Sequence, residues 1–332
     1  MSGPSAMRNI VLRFDMRSSP QSPDCQSDRY RAAIDMAAWA DNQAIDVVGL
    51  SEHHDTADGF LSAPLALAGM MLARTQRVRV SVSALLVPLH DPLRLAEDIA
   101  LLDLASRGRF TATCGLGYRE QEYRRFGIDW DKRGAVFDEK LEVLVAALQG
   151  QPFEYNGSQM ELNPKPESPL QALLTMGGNS KAAARRAARC GLVFCPAIDD
   201  SELEQTYKQA CEDYGTSFCL TLFPRKPATT FISEDPSADW NSLGEYLLYD
   251  ALAYGAWHHP NRRAYAESFA STVDELIAEG KYRIVTPDQA VQIIEDTGSL
   301  HLAPLCGGAP LELGWKSLKL FEERVQPFLQ GA

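Results

Sequence analysis

Glu52, His53, His54 and Asp55 follow directly on the apolar run Val47-Val48-Gly49-Leu50. A buried strand that ends in two imidazoles and two carboxylates sets titratable groups at a sheet rim, where proton transfer near neutral pH needs them. Neighbouring residues on a strand point to opposite faces. The pair therefore lacks the His-x-His spacing by which barrel metallohydrolases aim two rings at one ion, and metal binding is set aside. What stays open is a hydrogen-bonding structural histidine or a catalytic or cofactor contact. A second stretch, Met176-Gly177-Gly178-Asn179-Ser180, precedes an alanine- and arginine-rich helix. Backbone N–H groups of Asn179 and Ser180 at a helix start favour phosphate. Asn179 or Ser180 as a simple N-cap competes with that reading. Two preceding glycines, which a cap does not need, and Arg185, Arg186 and Arg189 just beyond favour the anion, unless those arginines form a solvated face. In Gly115-Leu116-Gly117-Tyr118, position 120 is Glu, so the Gly-x-Gly-x-x-Gly nicotinamide fingerprint is absent; these glycines would clear room for a planar ligand at a barrel mouth.

The elements that must carry these groups alternate. Apolar runs predict strands at 10–14, 46–50, 78–86, 110–114, 172–176, 192–196, 218–223 and 300–305. Helical spacing predicts helices at 28–42, 63–74, 92–105, 134–148, 181–190, 201–214, 287–297 and 313–328, and Asn156-Gly157 predicts a hairpin. The alternation lapses over 224–280, an expected insertion rich in aromatics (Phe231, Trp240, Tyr254, Trp257, Phe269) with helical segments at 243–254 and 264–278. Eight strands in this order favour an α/β fold of the (β/α)8 barrel type over a doubly wound sheet, as one domain over 1–332.

With 332 residues, 45% hydrophobic and 23% charged, the chain has the composition of a globular protein. A net charge of −12 without runs of like charge argues against nucleic acid or an anionic membrane as partner. Seven cysteines form no Cys-x-x-Cys pair, which fits a reducing compartment and a cytoplasmic location. Residues 1–7 read as a tag remnant or a frayed terminus.

Taken together, SEHH (51–54), PLRLAEDIALLDLASRGRF (92–110), CGLGYREQEYRRFGID (114–129), LLTMGGNS (173–180), RIVTPDQA and PLCGGAPLELGWKSL resemble the bacterial luciferase-like, flavin-dependent oxidoreductases, along nearly the whole chain. The resemblance implies a TIM barrel with insertions, often a homodimer, that uses reduced FMN or a reduced deazaflavin coenzyme (factor 420). It implies that His53 is the catalytic histidine beside the flavin, with Glu52 or Asp55 tuning its tautomer and His54 a structural neighbour. Ser83-Ala84 falls where relatives carry a non-proline cis peptide behind the isoalloxazine, and residues 177–180 match their phosphate turn. Gly115, Gly117 and Tyr118 lie where relatives have Gly-Val-Gly-x-Gly, with Thr113 in place of the first glycine. The implied activity is oxygenation of a small organic substrate by O2, with a separate flavin reductase supplying reduced FMN and the 224–280 stretch closing as a lid. The alternatives are deazaflavin-dependent hydride transfer without O2, or a non-catalytic flavin-binding or partner subunit.

Overall fold

Short apolar strands joined through helices build a sheet in which neighbouring strands run parallel. The computed structural model describes residues 8–224, 228–257 and 267–330. The strands are β1 (Asn9–Phe14), β2 (Val47–Leu50), β3 (Arg79–Leu86), β4 (Phe110–Gly115), β5 (Phe153–Tyr155), β6 (Ser158–Met160), β7 (Leu174–Gly177), β8 (Val193–Cys195), β9 (Thr229–Ile232), β10 (Tyr282–Val285) and β11 (Ser299–Leu302). Strands β5 and β6 form a separate hairpin around Asn156 and Gly157, both at positive φ. The other nine form one parallel sheet in the order β10-β9-β11-β1-β2-β3-β4-β7-β8. Past β8, Thr221 bridges Phe194 in parallel, and the same stretch of chain goes on to β9, which pairs with β11 near the opposite edge. Thr221 and β9 thus engage opposite sides of the strand order, as in a barrel. Parallel strands share one polarity, so every residue that follows a strand is delivered to the same end.

Local chemistry sets the boundaries. Asp91 accepts from the Arg94 N–H and Pro92 occupies the first position of the helix Pro92–Ser106, while Thr286 and Gln289 form a capping box on Pro287–Thr297. Arg109 ties the end of one helix to the start of two strands by donating to the carbonyls of Leu72, Thr75 and Val78.

The structure departs from the sequence reading in four places. Residues 170–173 form a helix, so the strand expected from 172 begins at Leu174. The run 218–223 makes a single bridge, because Phe218, Leu220 and Leu222 are exposed. The stretch 224–280, expected as an insertion, supplies the core strand β9, in which Phe231 is 1% exposed, so this part of it is sheet and not lid. Strand β10 was not expected at all. Residues 1–7, 225–227 and 258–266, including the start of the helix expected at 264–278, lie outside the described residues; the described part of that helix is Val273–Glu279. No helix among the described residues is long and apolar enough to cross a membrane.

Candidate active site

His53 leaves the end of β2 and is 6% exposed. Its Nδ1 lies 2.8 Å from Glu122 Oε1 and its Nε2 lies 2.9 Å from the Tyr118 hydroxyl. A carboxylate only accepts, so Nδ1 carries the proton and Nε2 accepts from Tyr118, a tautomer assigned by the network. The same Oε1 accepts from the His54 backbone N–H (2.9 Å) and from Arg119 Nη1 (3.1 Å). Burial pushes the His53 pKa down against the pull of Glu122, with Arg119 and Arg17 adding to the depression. The imidazole is therefore a neutral base poised between a phenol and a buried carboxylate. Phe60 and Trp257 close around it at ring-centroid distances of 4.8 Å each, and the Arg119 guanidinium sits 4.2 Å from the Trp257 ring centre.

Glu52, expected as His53's partner, faces elsewhere. Its Oε1 accepts from His54 Nε2 (2.9 Å) and His90 Nε2 (2.8 Å), and its Oε2 from the Leu86 N–H (2.6 Å). It ties the end of β2 to the end of β3 and does not touch His53. Asp55 is taken by Arg125 at 2.6 Å on the surface. Adjacent side chains of an extended segment diverge, so His53 and His54 reach different carboxylates, and the tautomer-setting role falls to Glu122.

The other expected residues gather at this end of the sheet. The Ser83-Ala84 peptide bond is cis, and Ser51 donates to the Ser83 carbonyl at 3.0 Å. A Cβ on Gly115 would lie 2.6 Å from the Ala84 Cβ, so the glycine at the end of β4 is required by the bend in β3. Gly115→Ala is expected to destabilise by about 1–3 kcal/mol through overpacking, read from the urea midpoint; an unchanged midpoint would show that β3 yields freely. Gly117, at φ 79°, faces Leu86 and Tyr123 in ordinary contact.

In the turn 177–180 the glycines have internal duties. A Cβ on Gly177 would meet Thr113 at 3.0 Å, and one on Gly178 (φ 117°) would meet Ala183 at 2.9 Å. Ser180 caps the helix Lys181–Arg189 by accepting from the Ala183 N–H, and Asn179 Oδ1 accepts from the Ala197 N–H at 2.7 Å. Arg186 and Arg189 pair with Asp138 on the neighbouring helix at 2.8 and 2.7 Å. The glycines are explained by close packing and these two arginines by a helix–helix ion pair, so neither is evidence for an anion. What the turn still offers an anion is a helix start.

Sequence reasoning missed a layer of buried charge next to this cluster. Arg17, fully buried after β1, pairs with Asp58 (3.3 Å) and Asp250 (3.2 Å) and lies against Tyr254 and Trp257 at 4.5 and 4.6 Å. Tyr282 donates to Asp250 at 2.6 Å. Burial first and Asp250 second push the Asp15 pKa up to about 6, against Arg17 and Arg13. Glu122 and Arg119 were also passed over, as part of a charged stretch. Their signal was position: both lie within four residues of Tyr118, just past a strand end.

The profile of the luciferase-like monooxygenases matches residues 9–222. An alkanal monooxygenase alpha chain of Photorhabdus laumondii is 24% identical over 347 residues, covering 92% of this chain and 94% of that one. The match to an uncharacterised Sinorhizobium fredii protein, y4vJ, is 26% identical over 176 residues and spans 51% of this chain and half the length of that relative. Among solved structures, the monooxygenase RslO1 of Streptomyces bottropensis superposes with a TM-score of 0.72 at 22% identity, over 97% of this chain and 99% of the other. The oxygenating constituent of 3,6-diketocamphane monooxygenase of Pseudomonas putida, solved with FMN, gives 0.69 at 18%, again over 97% and 99%. At these identities the superpositions establish the fold.

Proposed function

We infer the reaction from the premise that this chain belongs to the luciferase-like monooxygenase family: it is a two-component flavin-dependent monooxygenase that takes reduced FMN from a separate reductase and uses O2 to oxidise a small organic substrate. The observation that carries this reading is the Tyr118–His53–Glu122 chain at the strand ends.

The residues present suit a flavin. Arg119 Nε and Glu122 Oε2 are buried without a hydrogen-bond partner among the described residues, a donor and an acceptor of the kind that the polar edge of a heterocycle satisfies. Residues 83–84, 115, 117 and 118 would line the ring system, and the helix start at 179–181 would take the phosphate. When bound, the flavin supplies the activation of O2, and the protein supplies orientation and electrostatics. His53 Nε2 exchanges a proton with the Tyr118 hydroxyl or with a ligand in its place, and Glu122 holds Nδ1–H and stabilises the imidazolium that forms. Trp257 and Phe60 keep water from the ring. Arg119 holds Glu122 in place.

His53→Ala is expected to cut turnover by on the order of 10²–10⁴, assayed with photoreduced FMN in air against a panel of ketones, aldehydes and phenols. Unchanged turnover would remove His53 from the chemistry. Parallel titration with FMN and the deazaflavin, oxidised and reduced, tests the cofactor. Tighter binding of reduced FMN supports the two-component reading, whereas substrate oxidation without O2 on the deazaflavin overturns it.

A further inference from the structure

Cys211 and Cys219 take no part in the site above and do not depend on its assignment. Gly215, at φ 66°, ends the helix Ser201–Tyr214 and turns the chain back on itself. The Thr216 N–H returns to the Cys211 carbonyl at 2.8 Å, and the Leu220 N–H reaches the Tyr207 hydroxyl at 3.4 Å. The returning segment therefore lies along the last turns of the helix. Cys219, between those two anchored residues, is thereby brought alongside Cys211, close enough for each thiol to enter the other's electrostatic surroundings. Cys211 is 3% exposed, whereas Cys219 is open to solvent.

We propose that Cys211 and Cys219 form a reversible oxidation site that responds to hydrogen peroxide, with Cys219 as the attacked sulfur and Cys211 as the resolving one. Peroxide oxidises the Cys219 thiol to a sulfenic acid and releases one water. The Cys211 thiol then displaces the hydroxyl, so that two thiols and one peroxide give one disulfide and two waters. The division of roles follows exposure, since only Cys219 meets a dissolved oxidant. The bond closes a short loop and clamps the segment to the helix beside Phe194, which accepts from the Leu222 N–H and donates to the Leu220 carbonyl. Cys25 is the internal control, because it is also exposed but donates to a carboxylate, Asp28, at 3.1 Å.

The test is a peroxide titration of the full chain, followed by alkylation under denaturing conditions and peptide mapping by mass spectrometry. Free thiols are expected to fall from seven to five, with a cross-linked peptide joining Cys211 to Cys219 that dithiothreitol reverses. In Cys211→Ser, Cys219 is expected to run on to the sulfinic acid, which dithiothreitol does not reverse. Oxidation of Cys25 at a lower peroxide dose than the pair, a disulfide between other cysteines or between chains, or wild-type Cys219 passing straight to the sulfinic acid would each overturn the proposal. The wild-type map decides even where the variant fails to fold.

Discussion

Glu122→Gln lowers kcat by on the order of 10²–10⁴ and leaves the chain folded, with its urea midpoint little changed. The amide oxygen still accepts from His53 Nδ1, from the His54 N–H and from Arg119, so the geometry around Oε1 survives. What is lost is the charge. Burial already holds the His53 pKa down, and Glu122 is the group that opposes it. Without the carboxylate the imidazolium is less stable, Nε2 is a weaker base, and the limb of the pH profile that belongs to His53 moves to lower pH. Glu122→Ala is the contrasting control. It strands Arg119 and the His54 N–H in the interior and is expected to cost about 3–5 kcal/mol of stability as well. An E122Q enzyme with unchanged kcat and an unmoved pH profile would show that Glu122 only packs.

The fold was legible where period and punctuation agreed. The four apolar runs before residue 115 each became a strand, and 287–297 became a helix, because Thr286, Pro287 and Gly298 mark both its ends. Legibility failed where pairing, and not composition, decided. Leu220 and Leu222 read as core, yet their side chains are exposed, whereas β9 and β10 lie among polar and aromatic residues and are strands because they pair with each other and β9 pairs in turn with β11. A single sequence carries no such long-range term.

At the site, the residues named from motif chemistry did come to one end of the sheet, because each lies in the last residues of a parallel strand or just past it. Their partnerships were not legible. Glu52 stands beside His53 in sequence, but the strand turns it to His54 and His90, and the acid that meets His53 is 69 positions away. The same holds for Arg17, whose counter-charges at Asp58 and Asp250 come from a loop and a distant helix. Glycines misled in another way: at 177 and 178 they look like room for a ligand, and they are room for Thr113 and Ala183.

Glu52 and Asp15 give opposite slopes to the pH dependence of stability, and substituting each isolates its share. Burial raises the Glu52 pKa, but the donors from His54, His90 and Leu86 outweigh it and bring it from 4.5 to about 2. A folded pKa below the unfolded one means stability that is fully present above the unfolded value and is lost as pH falls through the folded one. Glu52→Gln is therefore expected to cost about 3 kcal/mol at pH 7, and the gap to wild type narrows as pH falls from 4.5 towards 2, as protonation removes the advantage of the carboxylate. Asp15 runs the other way, from 3.8 up to about 6. Its stabilising form is the neutral acid, so its contribution is complete below the unfolded value and is lost as pH rises through 6. Asp15→Asn keeps an acceptor for the Arg17 N–H, which lies 3.0 Å from Oδ1, and removes the ionisation. It is expected to be more stable than wild type at pH 8 by on the order of 1–3 kcal/mol and about equal to it at pH 4. Urea midpoints of the three proteins between pH 3 and 8 read both effects. A D15N chain that is less stable than wild type at pH 8 would mean that Arg13 and Arg17 need the Asp15 charge more than burial opposes it, and a Glu52→Gln gap that does not narrow in acid would mean that its three donors are held by shape rather than by charge.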